Sequence, residues 1–314
     1  MMITKLEKKR HMKTQFSLMT LVMLLLFFIS SAQAVEPQDI DDMIEHMTPT
    51  TFQDWKAKSS SGDPLAPVIV GRAYSEGKGT KENQTEALKW YRKAASYGNP
   101  LAEYYLGGMY EVGKGVPKNA TEAFKHYMRA AENGIPVAED SVGVFYGRGK
   151  GVKRDLVQAA KWHRLAAEHG DAGGQSNLGY LYETGQGGLQ QNYAEAEKWY
   201  RLAAEKGNDD GQYNLGLLYL RGNGIPQNVL EAEKWLRKAA EQDYSEAQHD
   251  LGVLYSIGGD GVPIDLVEAY KWLVIASTNK VARAEISLPM VKSRMNQEQI
   301  SKGELLAKEW LSTH

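Results

Sequence analysis

Internal repetition constrains this chain more than any other feature. The segment from Pro100 to Ile135 recurs in register at 64–99, 136–171, 172–208, 209–244 and 245–281. Six units of 36 or 37 residues cover 218 of the 314 residues, so the two domains that length alone suggests do not apply. A unit this short cannot bury a core by itself, whereas stacked units can. The expectation is one all-α solenoid.

Each unit reads as two helices. A small residue (Ala66, Ala102, Ala138, Gly174, Gly211, Ala247) is followed four residues later by an apolar one (Val70, Leu106, Val142, Leu178, Leu215, Leu251), and four later again by Tyr74, Tyr110, Tyr146, Tyr182, Tyr219 or Tyr255. Spacing of four places these on one helical face. A glycine directly after the apolar residue (Gly71, Gly107, Gly143, Gly179, Gly216, Gly252) predicts a helix crossing too close for a Cβ. The helix then ends in a G-x-G turn, and the second opens on an Asn or Asp cap with Glu or Gln three residues on, from Asn83/Glu86 to Asp265/Glu268. That spacing predicts a reciprocal capping box. Five of the seven tryptophans share one second-helix position (Trp90, Trp162, Trp199, Trp235, Trp272, with His126 in the remaining unit), which predicts that they form the core. Glycines also close four units (Gly98, Gly134, Gly170, Gly207), while Asp243 and Lys280 stand there in the last two. Register thus accounts for 22 of the 31 glycines.

The run A-x-x-x-L-G-x-x-Y-x-x-G-x-G-V-x-x-N/D-x-x-x-A-x-x-W-x-x-x-A-A-x-x-G resembles the Sel-1-like repeat (SLR), a relative of the tetratricopeptide repeat. The resemblance implies a right-handed α-α superhelix whose first helices line the concave, binding face. It also implies caps: residues 35–63 as a linker and capping helix around Phe52 and Trp55, and residues 282–314 as closing helices. In the latter, Ala284 and Leu288 keep the register, Pro289 replaces the glycine, and the stretch from Asn296 to Trp310 resembles the last helix of bacterial members.

Residues 1–34 read as a secretory signal. Lys5, Lys8, Lys9, Arg10 and Lys13 form a basic start, 16–29 is apolar, and Ala32-Gln33-Ala34 is an A-x-A site, so cleavage after Ala34 is expected. An uncleaved anchor is the rival, although the apolar stretch is short for a span; a start at Met12 rather than Met1 is also open. The expected location is periplasmic or secreted, with no membrane association after cleavage. Without residues 1–34 the chain holds 32 basic against 38 acidic residues, which gives no electrostatic reason to bind nucleic acid. The absence of cysteine excludes disulfides, thiolate metal sites and a Cys nucleophile.

No enzyme signature survives the repeat register. Gly147-Arg148-Gly149-Lys150-Gly151 lacks the spacing of a phosphate loop. His163 and His169 are six apart, so they leave different helix faces and read as solvated surface residues. Asp209-Asp210 falls where the chain turns between units. Ser277-Thr278-Asn279-Lys280 fits S-x-x-K, but S-D-N and K-T-G are missing. This matters because cysteine-rich SLR proteins have been described as β-lactamase-like, and this chain lacks that subgroup's cysteines. A β-lactamase-like or peptidoglycan-acting hydrolase is therefore the alternative to a non-enzymatic interaction scaffold.

By resemblance, the Asn preceding L-G donates to a bound peptide; here that is Asn177 and Asn214, with Asp250 equivalent. Tyr104, Glu111, Tyr180, Tyr213 and Arg221 complete a strip of aromatic and hydrogen-bonding tips of the kind interfaces favour. No cofactor or metal is expected. The partner is a peptide or protein whose identity the sequence leaves open, with envelope signalling and host interaction both in view, and the oligomeric state is open too.

Overall fold

The computed structural model describes residues 37–314; the expected signal segment and its cleavage site lie outside them. Among the described residues there are sixteen helices and no strand, with one isolated antiparallel bridge between Gly259 and Val262. The chain divides at 82/83 into two compact units.

The first unit holds α1 (Pro37–Glu45), α2 (Pro49–Lys58) and α3 (Ala66–Glu76). Thr48 and Thr51 form a reciprocal capping box at the start of α2. Ile40, Ile44 and Phe52 are buried, and Phe52 meets Tyr74 of α3 edge-on at 5.1 Å. Asp63 accepts from the main-chain N–H groups of Leu65 and Ala66, which opens α3.

The second unit begins with α4 (Gln84–Ser96) and continues as helix pairs. These are α5 (Pro100–Val112) with α6 (Ala120–Glu132), α7 (Pro136–Arg148) with α8 (Leu156–Glu168), and α9 (Ala172–Thr184) with α10 (Tyr193–Glu205). Next come α11 (Asp209–Arg221) with α12 (Val229–Glu241), α13 (Ser245–Ile257) with α14 (Leu266–Thr278), and the closing α15 (Ala284–Lys292) and α16 (Gln297–Leu311). Consecutive helices pack along the unit from α4 to α15, α16 packs on α14, and the first helices of successive pairs touch from α7 to α11. This is the all-α solenoid arrangement.

The first-helix face is as expected: Ala102, Leu106, Ala138, Val142, Leu178, Leu215, Ala247 and Leu251 are all buried. The second-helix anchor differs from expectation by one residue. Trp235 and Trp272 are buried as expected, but Trp90, His126, Trp162 and Trp199 are only half-buried, and the position buried in all six repeats is the next one, with Tyr91, Tyr127, His163, Tyr200, Leu236 and Leu273. Chemical variety hides this position from a composition pattern. The crossing glycine explains its depth: a Cβ on Gly107, Gly143 or Gly179 would lie 2.6–2.7 Å from the ring of Tyr127, His163 or Tyr200. The backbone of the first helix therefore lies flat on that ring. His163, expected to be solvated, is 6% exposed for this reason.

The capping expectation needs a second correction. Asn119, Asp155 and Asn192 accept from the N2 and N3 main-chain N–H groups, as N-caps do. The reciprocal bond is absent, because each cap's own N–H donates to the carbonyl of the preceding unit tyrosine, Asn119 to Tyr110 at 2.8 Å and Asp155 to Tyr146 at 3.0 Å. With that donor already satisfied, the N3 glutamates turn to lysines one helical turn on, as in Glu122–Lys125 at 2.7 Å. Where no such carbonyl competes, at Asn296/Gln299 of α16, the full capping box forms.

Units are stitched together by buried glutamines that sequence inspection passed over. Gln175, Gln212 and Gln248 each donate from Nε2 to the carbonyl of the previous second helix, at Ala167, Ala204 and Ala240. At the far end, Trp310 of α16 meets Trp272 edge-on at 5.9 Å, and Gly303 admits Tyr270.

Among the described residues, Asp243 (φ 66°) and Lys280 (φ 63°) are the non-glycine residues with positive φ, and both replace a unit-closing glycine. At the equivalent Gly134 and Gly207 an added Cβ would meet nothing within 4 Å. Strain at 243 and 280 is thus conformational alone, and Asp243→Gly and Lys280→Gly are each expected to stabilise by up to about 1 kcal/mol, the left-handed penalty less glycine's extra chain entropy. Thermal denaturation of the two variants and their combination checks this.

Candidate binding strip

The structure separates the expected strip residues into local clusters on the first helices. At the end of α5, Glu111 accepts from the Tyr127 hydroxyl and from Lys150 Nζ, each at 2.6 Å, while the Tyr104 ring packs 5.7 Å from that of Tyr127. One repeat pair further, Glu183 accepts from the Tyr200 hydroxyl at 2.7 Å and lies 3.6 Å from Arg221. Asn177 donates to Asp140 at 2.9 Å, and the same carboxylate oxygen holds His163 Nδ1 at 2.6 Å. Tyr213 donates to Asp250 at 2.9 Å and stacks on Tyr244 at 4.8 Å. Asp250 also holds His249 at 2.7 Å and Arg283 at 3.3 Å.

Most of the strip's polar groups are therefore committed within the chain. Asn177, expected to face a ligand, already spends an N–H on Asp140, and Asp250 serves three donors. Asn214 and Tyr180 stand apart: no hydrogen bond involves the half-buried Asn214 amide among the described residues, and Tyr180 is 49% exposed. Glu183, Asp140, His249 and Arg283 escaped sequence inspection, since each becomes meaningful only through a partner on another helix. Lys150 did carry a signal, as a charged residue of the glycine-rich stretch 147–151.

The charges follow the packing. Burial alone would raise the Glu111 carboxyl, but the Lys150 and Tyr127 hydrogen bonds outweigh it and hold the group below the usual carboxylate range. Burial, reinforced by the Asp250 charge, pushes Tyr213 up to about 12, so its hydroxyl remains a donor across the physiological range. A carboxyl whose folded pKa is depressed adds stability above its unfolded value of 4.5, and this is lost as pH falls through the folded value. Lys150→Met is accordingly expected to destabilise by about 0.5–1 kcal/mol at pH 7, the pair being partly solvated. The difference should shrink steadily below pH 4.5, as read from urea unfolding at several pH values.

The other constellations are structural. His169 sits on the buried Glu139 at 2.9 Å and His163 on Asp140, and no group of three metal-ligating side chains occurs among the described residues. Asp209 and Asp210 are not in a loop but form the first turn of α11, where its dipole favours acids. Gly147 and Arg148 close α7, so no strand precedes the glycine-rich turn. Ser277 lies in α14, whereas Lys280 follows the helix end in a left-handed conformation, so the two do not share a helix face. One unanticipated contact resembles a triad: Ser287 Oγ is 3.1 Å from His249 Nε2, whose Nδ1 is 2.7 Å from Asp250. The nearby N–H groups of Ile286 and Ser287 both donate to the Arg283 carbonyl, which removes them as oxyanion donors.

These features define an α-solenoid repeat protein with a polar first-helix strip. Its repeats match the Sel1 repeat family at 68–99, 100–135, 136–171, 172–208, 209–244 and 245–280, and the chain belongs to that family. A Sel1 repeat protein from Oxalobacter formigenes is similar at 36% identity and a TM-score of 0.65, over 70% of this chain and 90% of that one. A protective antigen of uropathogenic Escherichia coli strains with an SLR fold is 29% identical, with a TM-score of 0.48, over 82% of this chain and 70% of that one. Among curated proteins no match was found. Among the described residues no helix is long and apolar enough to cross a membrane.

Proposed function

We propose that this protein is an exported, non-enzymatic scaffold that holds an extended peptide or partner protein along its first helices. Membership of a repeat family that builds interaction scaffolds supports the general role. The observation that carries the finer reading is the Asn214 amide, unbonded within the chain at the register position of Asn177 and Asp250, one helix from the exposed ring of Tyr180. An amide so placed can bond a peptide main chain irrespective of its sequence, while tyrosine supplies a rigid apolar anchor with a polar tip. Export rests on the basic start, apolar stretch and A-x-A site of residues 1–34.

The test is capture of partners from envelope extract and from host fluids by the tagged chain. A partner retained by the wild type should be lost from the Asn214→Ala/Tyr180→Ala double variant; equal retention would refute the strip. Fractionation and N-terminal sequencing of the secreted material should give a start at Val35. A serine hydrolase is the second reading, favoured by the Ser287–His249–Asp250 contact. Incubation with a fluorescent penicillin and with a fluorophosphonate is expected to leave the protein unlabelled. Labelling lost in Ser277→Ala or Ser287→Ala would reverse the non-enzymatic assignment.

A further inference from the structure

The strip repeats with a period of two units, and its third period is incomplete. In the first, Glu111 sits between the Tyr127 phenol and Lys150, with the charge of Arg148 also acting on it. In the second, Glu183 sits between the Tyr200 phenol and Arg221. Arg148, Arg221 and Arg294 hold the same register position, two repeats apart each time. In the third period Ser256 replaces the glutamate and Leu273 replaces the tyrosine, so carboxylate and phenol are lost together while the cation remains. Ser256 turns its hydroxyl onto the Val253 carbonyl at 2.7 Å, and Arg294 reaches only the Ser256 carbonyl, also at 2.7 Å. No carboxylate pairs with Arg294 among the described residues.

Arg294 borders a cavity of about 420 Å³ walled by Val253, Ile257, Met290 and Val291. Ile257 and Met290 are 64% and 65% exposed, so the apolar wall is open to a ligand. A guanidinium beside apolar surface suits a carboxylate that carries an apolar neighbour, because partial desolvation strengthens the pair. We propose that this cavity binds a peptide carboxylate next to an apolar side chain, the ligand supplying the acid that Glu111 and Glu183 supply internally in the other two periods. The proposal rests on the peptide-binding reading of the strip and gives it an end and a chemistry: the acidic, apolar portion of the peptide lies at α13 and α15.

The full chain, with methyl-labelled methionine, is titrated with short peptides while the Met290 methyl is observed. One pair ends in Leu-Leu as the free acid or the amide; a second, amidated pair carries Leu-Glu-Leu or Leu-Gln-Leu internally. Binding with a Kd up to about 10 mM is expected for at least one acidic member, with its neutral analogue at least tenfold weaker, and which acid binds distinguishes a terminal from a side-chain carboxylate. Arg294→Gln should abolish the preference for the acid. Ser256→Glu, which places a carboxylate where Glu111 and Glu183 stand, should block binding and keep the wild-type melting temperature, so loss of fold cannot imitate the result. Equal binding of acid and neutral members, no binding of any peptide, or an acid preference that survives Arg294→Gln would overturn the proposal. Loss of partner capture in Asn214→Ala/Tyr180→Ala with normal capture in Arg294→Gln would leave the strip standing and refute this subsite alone.

Discussion

Gly151→Ala is expected to destabilise the protein by about 2–5 kcal/mol, while Gly134→Ala costs at most about 1 kcal/mol. Both glycines are left-handed, with φ of 68° and 76°, so the conformational penalty is the same. Their surroundings are not. A Cβ on Gly134 meets nothing within 4 Å, whereas on Gly151 it would fall 2.3 Å from the Ala120 carbonyl oxygen at the head of α6. A side chain could rotate away, but that carbonyl belongs to the first turn of a helix. Relief therefore requires moving one repeat against the next. Gly115 and Gly187 approach the Gln84 and Leu156 carbonyls in the same way, at 2.6 and 2.7 Å. The second glycine of each G-x-G turn is thus a docking point between units as well as a turn residue. Because repeat arrays need not unfold in one step, thermal melting should be paired with hydrogen exchange. Exchange should accelerate most around α6 and α7 in Gly151→Ala.

Tyr200→Ala is expected to cost about 3–5 kcal/mol, the range for truncating a fully buried aromatic residue. Trp199→Ala, a larger deletion one residue earlier, should cost about half as much, in proportion to the area it buries. Tyr200 has no exposed surface, underlies the Gly179 backbone, and donates to Glu183. Removing it opens a cavity beneath a helix crossing and takes away the stronger partner of a carboxylate. Trp199 is half-buried, its Nε1 is buried without a hydrogen-bond partner, and its outer surface is covered by Lys198 at 5.0 Å. Urea unfolding of the two single variants orders the positions. A greater loss from Trp199→Ala would mean that the tryptophan column, as sequence periodicity suggests, is the true core.

The tryptophan case shows how periodicity misleads. A column of one large residue type is conspicuous, yet only Trp235 and Trp272 of it are buried, whereas the neighbouring column, buried in all six repeats, contains tyrosine, histidine and leucine, with a crossing glycine against Tyr127, His163, Tyr200, Leu236 and Leu273. Similarly, N/D-x-x-E spacing is a local pattern, but which group receives the cap's N–H was decided by a carbonyl nine or ten residues upstream. At the strip, the tyrosines and asparagines were legible as residues on one helix face. Their hydrogen bonds were not, since Asn177 meets Asp140 and Tyr213 meets Asp250 across 37 residues.

The sequence by itself determined the all-α class, the number of repeats, the caps that open the second helices and the left-handed G-x-G turns. These follow from spacing within one unit, where helix periodicity, caps and glycine conformations act over a few residues. Only the tertiary structure decided which second-helix position is buried in every repeat, why the second turn glycine cannot carry a Cβ, which strip residues are already bonded, and where a cation lacks its acid. Those outcomes depend on atoms contributed by a neighbouring helix or repeat, at separations set by how the units stack.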